Sequence, residues 1–324
     1  GAEAFLLEPQ RTNLVVNSSL GSPKTPYDGV TDYLAPDGSS SAFIPLVVST
    51  ANRFESVING GTYTSGTELT YSWYRKRIST PLDSSFLGDL KIRNFVNATF
   101  SSTTQIASNI SGYDRFSVKC TITDGSLQSK IRTYYGDVIG VGNSSVAYWG
   151  HQLELGSYAT SYIPNNGEAN GVTRNQELCY DATPVINSEE GVLYAEIAAL
   201  SNDGTNRAIS ISDGTTSNVV RFYYSTTDNR IVGDVKYGGI TSFNFNNVLS
   251  NATNFLKIAI SYKLNNFKMY VNGIEVASDT LGNAPIGLSE LSFDNGAGND
   301  NFFGNTKGLK YYPKALADVE LQDL

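Results

Sequence analysis

The chain has 324 residues, which exceeds the roughly 250 residues at which a single hydrophobic core stops growing, so two domains are expected. Its 30 Gly, 20 Tyr and single Met favour short strands and turns over amphipathic helices. A net charge of −8 without a Lys/Arg cluster excludes a surface built to neutralise phosphates, so no nucleic-acid binding is expected.

The N-terminal segment "GAEAFLLEPQ" lacks the basic and apolar regions of a signal peptide. No apolar run approaches the ~20 residues that a membrane helix needs, so we expect no membrane insertion. Because the chain begins with Gly1 rather than Met, we expect a fragment or a processed form.

Apolar and polar residues alternate in "ELTYSWYRKR", "YDRFSVKCTIT" and "KIRTYY", and these segments are separated by clusters of Gly, Asn, Asp and Ser. Alternation with such punctuation predicts the strands of a β-sandwich. Cys120 shares the alternation of Phe116, Val118 and Ile122 and is predicted to be a small core side chain.

The alternation stops in "YIPNNGEANGVTRNQELCYD", where Asn, Gly and Pro concentrate as in a linker. We therefore predict one domain over residues 1–164, a linker over 165–176 and a second domain over 177–324.

The second half contains "NFLKIAISYKLNNFKMYVNGIEVA", which predicts three strands joined at Asn265-Asn266 and at Asn272-Gly273. Asn-Gly supplies the positive φ angles that a type I′ hairpin requires. Helix is predicted only at the C-terminus, where Asp318 is expected to cap a short turn that carries Leu321 and Leu324, with Leu316 packed beside it.

Two stretches of the first half, "LLEPQRTNL" (Leu6–Leu14) and "WGHQLELGSYATSYIPNNG" (Trp149–Gly167), resemble the bracketing motifs of jelly-roll domains in phage tail-fibre and virion-attached proteins. The segment between them resembles carbohydrate-binding modules. Its "GTYTSGTELTYSWYRKR" is similar to the family's central strand, with Tyr71 and Trp73 expected inward and Ser72 and Tyr74 outward.

The second half resembles the concanavalin A/laminin-G-like sandwich of the same proteins, most specifically in "GLKYYPKALADVELQDL". The resemblance implies an all-β fold of two antiparallel β-sandwiches, a jelly roll followed by a concanavalin-like domain. It also implies a non-catalytic attachment, receptor-binding or structural protein of an extracellular virion, assembled with other fibre subunits as a homotrimer. Cell-surface glycans are the implied partners.

Polar groups occur within both bracketing motifs, at Glu8, Arg11, Gln152 and Glu154. Since a jelly roll places its first and last strands side by side, a hydrogen-bonded or ion-paired seam is the main interpretation. The alternative is a structural calcium ion held by Glu8 or Glu154, because carboxylates suit a hard cation.

Catalysis is not expected, since His151 is the only histidine and no Ser or Cys has a nucleophile-elbow context. Glycoside hydrolysis needs only two suitably spaced carboxylates, so a polysaccharide-degrading hydrolase or lyase remains the alternative, with a bacterial surface lectin as another. No redox cofactor is expected.

A sugar site needs aromatic faces together with groups that fix hydroxyls. The aromatic candidates are Tyr74, Tyr134, Tyr223, Tyr224 and Tyr237. The polar candidates are the loops near Asp203 and from Asp294 to Asn305. Because the chain is acidic, neutral glycans are the expected ligands.

Overall fold

The computed structural model describes residues 4–19, 29–47, 55–59, 63–78, 90–93, 98–123, 130–135, 142–143, 146–180 and 184–324. Side chains are not described at 29–32, 45–47, 55–59, 90–93, 108–109, 130–135 and 142–143.

The strands in chain order are β1 (Phe5–Leu7), β2 (Arg11–Asn13), β3 (Gly29–Tyr33), β4 (Ala42–Val47), β5 (Glu55–Asn59), β6 (Glu68–Arg77), β7 (Leu90–Arg93), β8 (Ala98–Phe100), β9 (Thr104–Ile110), β10 (Tyr113–Ile122), β11 (Lys130–Tyr135), β12 (Gly142–Asn143), β13 (Val146–Leu155), β14 (Val172–Arg174), β15 (Glu190–Ala199), β16 (Arg207–Ser212), β17 (Val219–Tyr224), β18 (Arg230–Tyr237), β19 (Ile240–Val248), β20 (Leu256–Lys263), β21 (Asn266–Val271), β22 (Ile274–Asp279), β23 (Glu290–Ser292) and β24 (Gly304–Tyr312). Every pairing between these strands is antiparallel. The predicted all-β, antiparallel fold class is confirmed.

The chain divides into two compact units. The first unit is Gln10–Asn175, and the second unit is Gly1–Pro9 together with Gln176–Leu324. These bounds differ from the predicted ones at both ends. Strand β1 pairs with β24, which places the N-terminal segment in the second unit, and β14 pairs with β2, which places the predicted linker in the first. Alternation along the chain does not reveal such long-range pairings.

In the first unit, the largest sheet of the described residues has the order β12-β4-β13-β6-β10-β8, with β3 and β9 paired to β4 and β10. One face carries a core that includes Tyr71, Trp73, Phe116 and Cys120. Cys120 is 1% exposed, so its predicted core position is confirmed.

A hydrogen-bonded seam joins the two bracketing motifs within the first unit. The Asn13 Nδ2 donates to the Ile163 carbonyl (2.7 Å), and the Gln152 Oε1 accepts from the Ile163 backbone N–H (2.6 Å). The Glu154 Oε2 accepts from the Thr160 backbone N–H (3.0 Å). All these side chains are buried, so the hydrogen bonds offset the cost of removing them from water.

The second unit is a β-sandwich of two sheets, with strand orders β1-β24-β15-β20-β21-β22 and β19-β18-β17-β16-β23. Side chains from both sheets form one core, among them Phe222 from β17 and Met269 from β21. The predicted meander is present as β20, β21 and β22. Asn272 and Gly273 have φ of 51° and 76°, as a type I′ turn requires.

Within the described residues, the helix is α1 (Asp318–Gln322). Leu321 is buried and packs near Leu316 and Leu324, as predicted. The predicted cap is wrong, because Asp318 lies inside the first turn and forms an ion pair with Lys268. The N-cap position is Ala317, whose backbone N–H is accepted by the Glu320 carboxylate. No helix in the described part of the chain has the length and apolarity to cross a membrane.

Candidate functional site

A polar row crosses the five-stranded sheet of the second unit on the face opposite the core. The side chains of Val220, Phe222 and Tyr224 of β17 lie in the core. Because successive side chains of a strand point to opposite faces, Arg221 projects from the other face. The strand registers then place five polar side chains side by side, one from each strand. This polar row consists of Ser292, Ser210, Arg221, Asp234 and Asn244.

The centre of the polar row is a buried ion pair. The Asp234 Oδ2 accepts from the Arg221 Nε at 2.9 Å and lies 2.8 Å from its Nη2. The Asp234 Oδ1 accepts from the Asn244 Nδ2 at 3.2 Å. Asp234 is 1% exposed, whereas Asn244 is exposed, so the row leads from the buried pair out to solvent. The two charges offset each other and the hydrogen bonds fix both side chains.

Tyr223 lies beside the pair on the same face. It is half-buried, and its ring centroid is 5.3 Å from the Arg221 guanidinium carbon. Burial, followed by the nearby Asp234 carboxylate, raises the pKa of the phenol above its usual value. An aromatic ring next to fixed donors and acceptors combines the two features that a sugar site needs.

A loop from Asp294 to Asn301 covers the other end of the row. The Asn295 carbonyl accepts from the Arg221 Nη1 (3.3 Å), and the Gly296 carbonyl accepts from the Ser212 Oγ (3.2 Å). Ser210 lies fully buried there. The predicted polar loop therefore borders the site and helps to hold Arg221.

The predicted aromatic residues separate into different environments. Tyr223 faces outward as expected, but Tyr224 is 3% exposed and stacks on Phe302 in the core. Consecutive strand residues face opposite ways, so only one of the two could be a surface platform. Tyr237 is half-buried and lines a separate cavity of about 430 Å³ with Lys263 and Ile286.

The prediction that Tyr74 faces solvent is wrong, because it is 7% exposed. Its ring lies 5.2 Å from that of Trp149 and 6.3 Å from that of Tyr162 in a second small cluster, so both faces of β6 are covered here. Tyr134 lies on β11, where side chains are outside the described part of the structure.

The predicted loop near Asp203 is held by an ion pair. Both Asp203 carboxylate oxygens accept from the Arg207 Nη2, at 2.7 and 2.9 Å.

Glu8 and Glu154 lie in separate units. The Glu154 carboxylate accepts hydrogen bonds from Thr160, and Glu8 exchanges hydrogen bonds with Glu177 through its backbone. Within the described residues, no group of three or more His, Cys, Asp or Glu side chains could hold a metal ion. The calcium role of the two residues stays a prediction.

His151 is fully buried in the first unit. Its Nδ1 lies 2.6 Å from the Tyr71 hydroxyl, and its ring lies 5.7 Å from that of Phe43. Burial lowers the pKa of the imidazole to about 3, so it is neutral at physiological pH. These contacts give it a packing role.

Arg221, Asp234 and Asn244 were not predicted from the sequence as site residues. A signal was present, because Arg221 interrupts the apolar run "VVRFYY" and Asp234 interrupts "RIVGDVKY". A lone charge at an alternate position of an otherwise apolar strand indicates a polar face. Pairing the two charges needs the strand register, which the sequence does not show.

No family model and no curated protein matches the sequence. Among solved structures, the chain is similar to sheep galectin-11 in complex with glycerol, at 12% identity and a TM-score of 0.30, over 43% of this chain and 98% of that one. It is also similar to domains LG4-5 of the mouse laminin alpha1 chain (9% identity, TM-score 0.30, 84% of this chain and 92% of that one). A native glycosidic hydrolase matches at 14% identity and a TM-score of 0.31, over 50% of this chain and 76% of that one. Overlap this low supports neither a fold nor a function, so the fold assignment rests on the strand pairings.

Proposed function

We propose that the chain is a non-catalytic carbohydrate-binding protein whose ligand lies against Tyr223 and the polar row of the second unit. The observation behind this proposal is the placement of a half-buried aromatic ring beside side chains whose orientation is fixed by the Arg221–Asp234–Asn244 hydrogen bonds. The ring offers a surface for the C–H face of a pyranose, and the exposed Asn244 amide at the end of the row can bond its hydroxyls.

Electrostatics favours a neutral glycan at this face. Arg221 and Asp234 offset each other, so the centre of the row presents no unbalanced charge. The net charge of −8 opposes the approach of anionic polysaccharides. Recognition then depends on stacking and directed hydrogen bonds, for which we expect weak affinity, roughly millimolar to micromolar.

The buried position of His151 supports a binding function without catalysis. His151 is neutral and enclosed in the core of the first unit, where it cannot reach a substrate. Incubation with a polysaccharide panel should release no reducing ends and no unsaturated uronates. Either product would contradict the non-catalytic part of the proposal.

The decisive experiment compares Tyr223→Ala, Tyr223→Phe and Tyr237→Ala on an array of neutral oligosaccharides, followed by calorimetry on the best ligand. Tyr223→Ala should weaken binding by about tenfold or more, whereas Tyr223→Phe keeps the ring and most of the affinity. If only Tyr237→Ala loses binding, the ligand lies in the cavity beside Tyr237 and the polar row is the wrong site. If wild-type protein binds no glycan, the carbohydrate function itself is wrong.

The biological setting of the proposal rests on the sequence resemblance alone. We infer an attachment or structural role in an extracellular virion, with the chain assembled with other fibre subunits as a homotrimer that multiplies weak sugar contacts. Light scattering over a concentration series tests the assembly, and the position of the gene relative to tail or capsid genes tests the setting.

A further inference from the structure

The second unit contains an acidic cavity next to the polar row. It has a volume of about 350 Å³, within the range of small-molecule sites. Its lining includes Leu178, Tyr180, Glu290, Ser292, Asp294 and Asn301.

The polar wall of the acidic cavity comes from one strand and the residues that follow it. Leu291 and Phe293 point into the core, so Glu290, Ser292 and Asp294 project from the opposite face by alternation. Asp294 is 7% exposed, and its Oδ1 accepts from the Gly296 backbone N–H at 2.6 Å. Two carboxylates therefore face one space.

Among the residues that the structure describes, these carboxylates have no cationic partner. Neither Glu290 nor Asp294 forms an ion pair with any residue that the structure describes. The described side chains that line the cavity include no Lys, Arg or His. Removing a carboxylate from water without a compensating charge is unfavourable, so a positive ligand would be stabilised here.

A hydroxyl that has no partner in the described part of the chain lies in the same wall. Ser292 is 5% exposed and lines the cavity, and its Oγ has no hydrogen-bond partner among the described residues. Its cross-strand neighbour Ser210 is fully buried and likewise has an Oγ without a partner. The Ser292 hydroxyl is therefore available to a polar group of a ligand in the cavity.

The cavity is also lined by one aromatic and one aliphatic side chain that are accessible. Tyr180 and Leu178 are 60% and 45% exposed. A ring beside two carboxylates can contact the C–H face of a sugar and also attract an ammonium group through its π face.

We propose that the acidic cavity binds a sugar residue that carries a free, protonated amino group. The ammonium group lies between the carboxylates of Glu290 and Asp294. The Ser292 hydroxyl and the Asn301 amide form hydrogen bonds with the neighbouring sugar hydroxyls. The sugar ring packs on the ring of Tyr180. This is a second site, which shares Ser292 with the polar row but takes a different ligand. Its carbohydrate part rests on the proposed function, whereas its preference for a cation rests on the cavity alone.

The test is calorimetry with two tetrasaccharides of the same backbone, one of glucosamine and one of N-acetylglucosamine. Acetylation removes the charge and leaves the ring unchanged. The glucosamine form should bind at least tenfold tighter. Glu290→Gln should weaken it by about tenfold, and Tyr180→Ala should weaken it several-fold. The control Glu168→Gln removes the same charge at an exposed position outside this cavity and outside the cavity beside Tyr237, and it should leave binding unchanged.

Several results would overturn the proposal. Equal affinity for the two tetrasaccharides means that charge is not recognised. An unaffected Glu290→Gln variant, with its fold verified by circular dichroism, places the amine elsewhere. Displacement of the sugar by calcium would make the cavity a metal site. Equally tight binding of a lysine-containing peptide would show that the cavity recognises an ammonium group and not a sugar. Tyr223→Ala should retain glucosamine binding, so failure of this site is distinguishable from failure at the polar row.

Discussion

The Arg221 Nη2 lies 2.8 Å from the Asp234 Oδ2 across two neighbouring strands, with 13% and 2% of the two side chains exposed. Asp234→Asn keeps the shape of the side chain and leaves the Arg221 charge unbalanced. We expect the free energy of unfolding to fall by about 3 kcal/mol, since loss of one member of a buried pair is costly. Urea denaturation measures it.

A matched control for this substitution is Lys263→Met, which breaks the pair with Glu190 at a side chain that is 52% exposed. It should change stability far less than Asp234→Asn does, because exposed pairs contribute little. An equal decrease in the free energy of unfolding for the two variants would show that the Arg221–Asp234 pair contributes no more to stability than an exposed pair does.

The two consecutive tyrosines of β17 should respond oppositely to truncation. Tyr224→Ala removes a core ring that stacks on Phe302 and should cost about 3–5 kcal/mol of stability. Tyr223→Ala removes a half-buried outer ring and should cost about 1 kcal/mol while weakening glycan binding. Chemical denaturation and glycan titration on both variants separate the effects. A severe loss of stability in Tyr223→Ala would make that residue part of the core.

His151 should remain neutral in the folded protein down to acidic pH, since burial lowers its pKa to about 3. The unfolded imidazole takes up a proton below its ordinary pKa of 6.5, so this contribution to stability is complete above pH 6.5 and declines as the pH falls towards 3. At pH 5 the loss is about 2 kcal/mol.

The chain has one histidine, so nitrogen chemical shifts of the ring report on His151 alone. Nuclear magnetic resonance spectra should show a neutral imidazole at pH 5, and urea denaturation should give lower stability at pH 5 than at pH 7.5. A protonation midpoint near 6.5 in the folded state would contradict the buried position.

The two cysteines should differ in reactivity. Cys120 is buried and its thiol pKa is raised by burial to about 12, so iodoacetamide should not label it in the native protein. Cys179 is partly exposed and lines the acidic cavity, so it should react, although burial raises its pKa too. Peptide mass spectrometry with and without denaturant distinguishes the sites. Native labelling of Cys120 would contradict the packing of the first unit.

The local features of this protein follow from short stretches of its sequence. Alternation in "RFSVKCTI" predicted the buried Cys120, and Asn272-Gly273 predicted a hairpin, because side-chain parity and positive φ depend on neighbouring residues only. The same parity rule showed that Tyr223 and Tyr224 face opposite ways. It did not show which of them faces the core.

Contacts between distant residues depend on how the strands pair and pack. The pairing of β1 with β24 moved the N-terminal segment into the second unit, and a second cluster buried Tyr74 on the face that alternation had left open. Arg221 and Asp234 became partners through the register of β17 and β18. Strand order, register and the covering of a sheet face are long-range properties, whereas alternation records only that a strand has two faces.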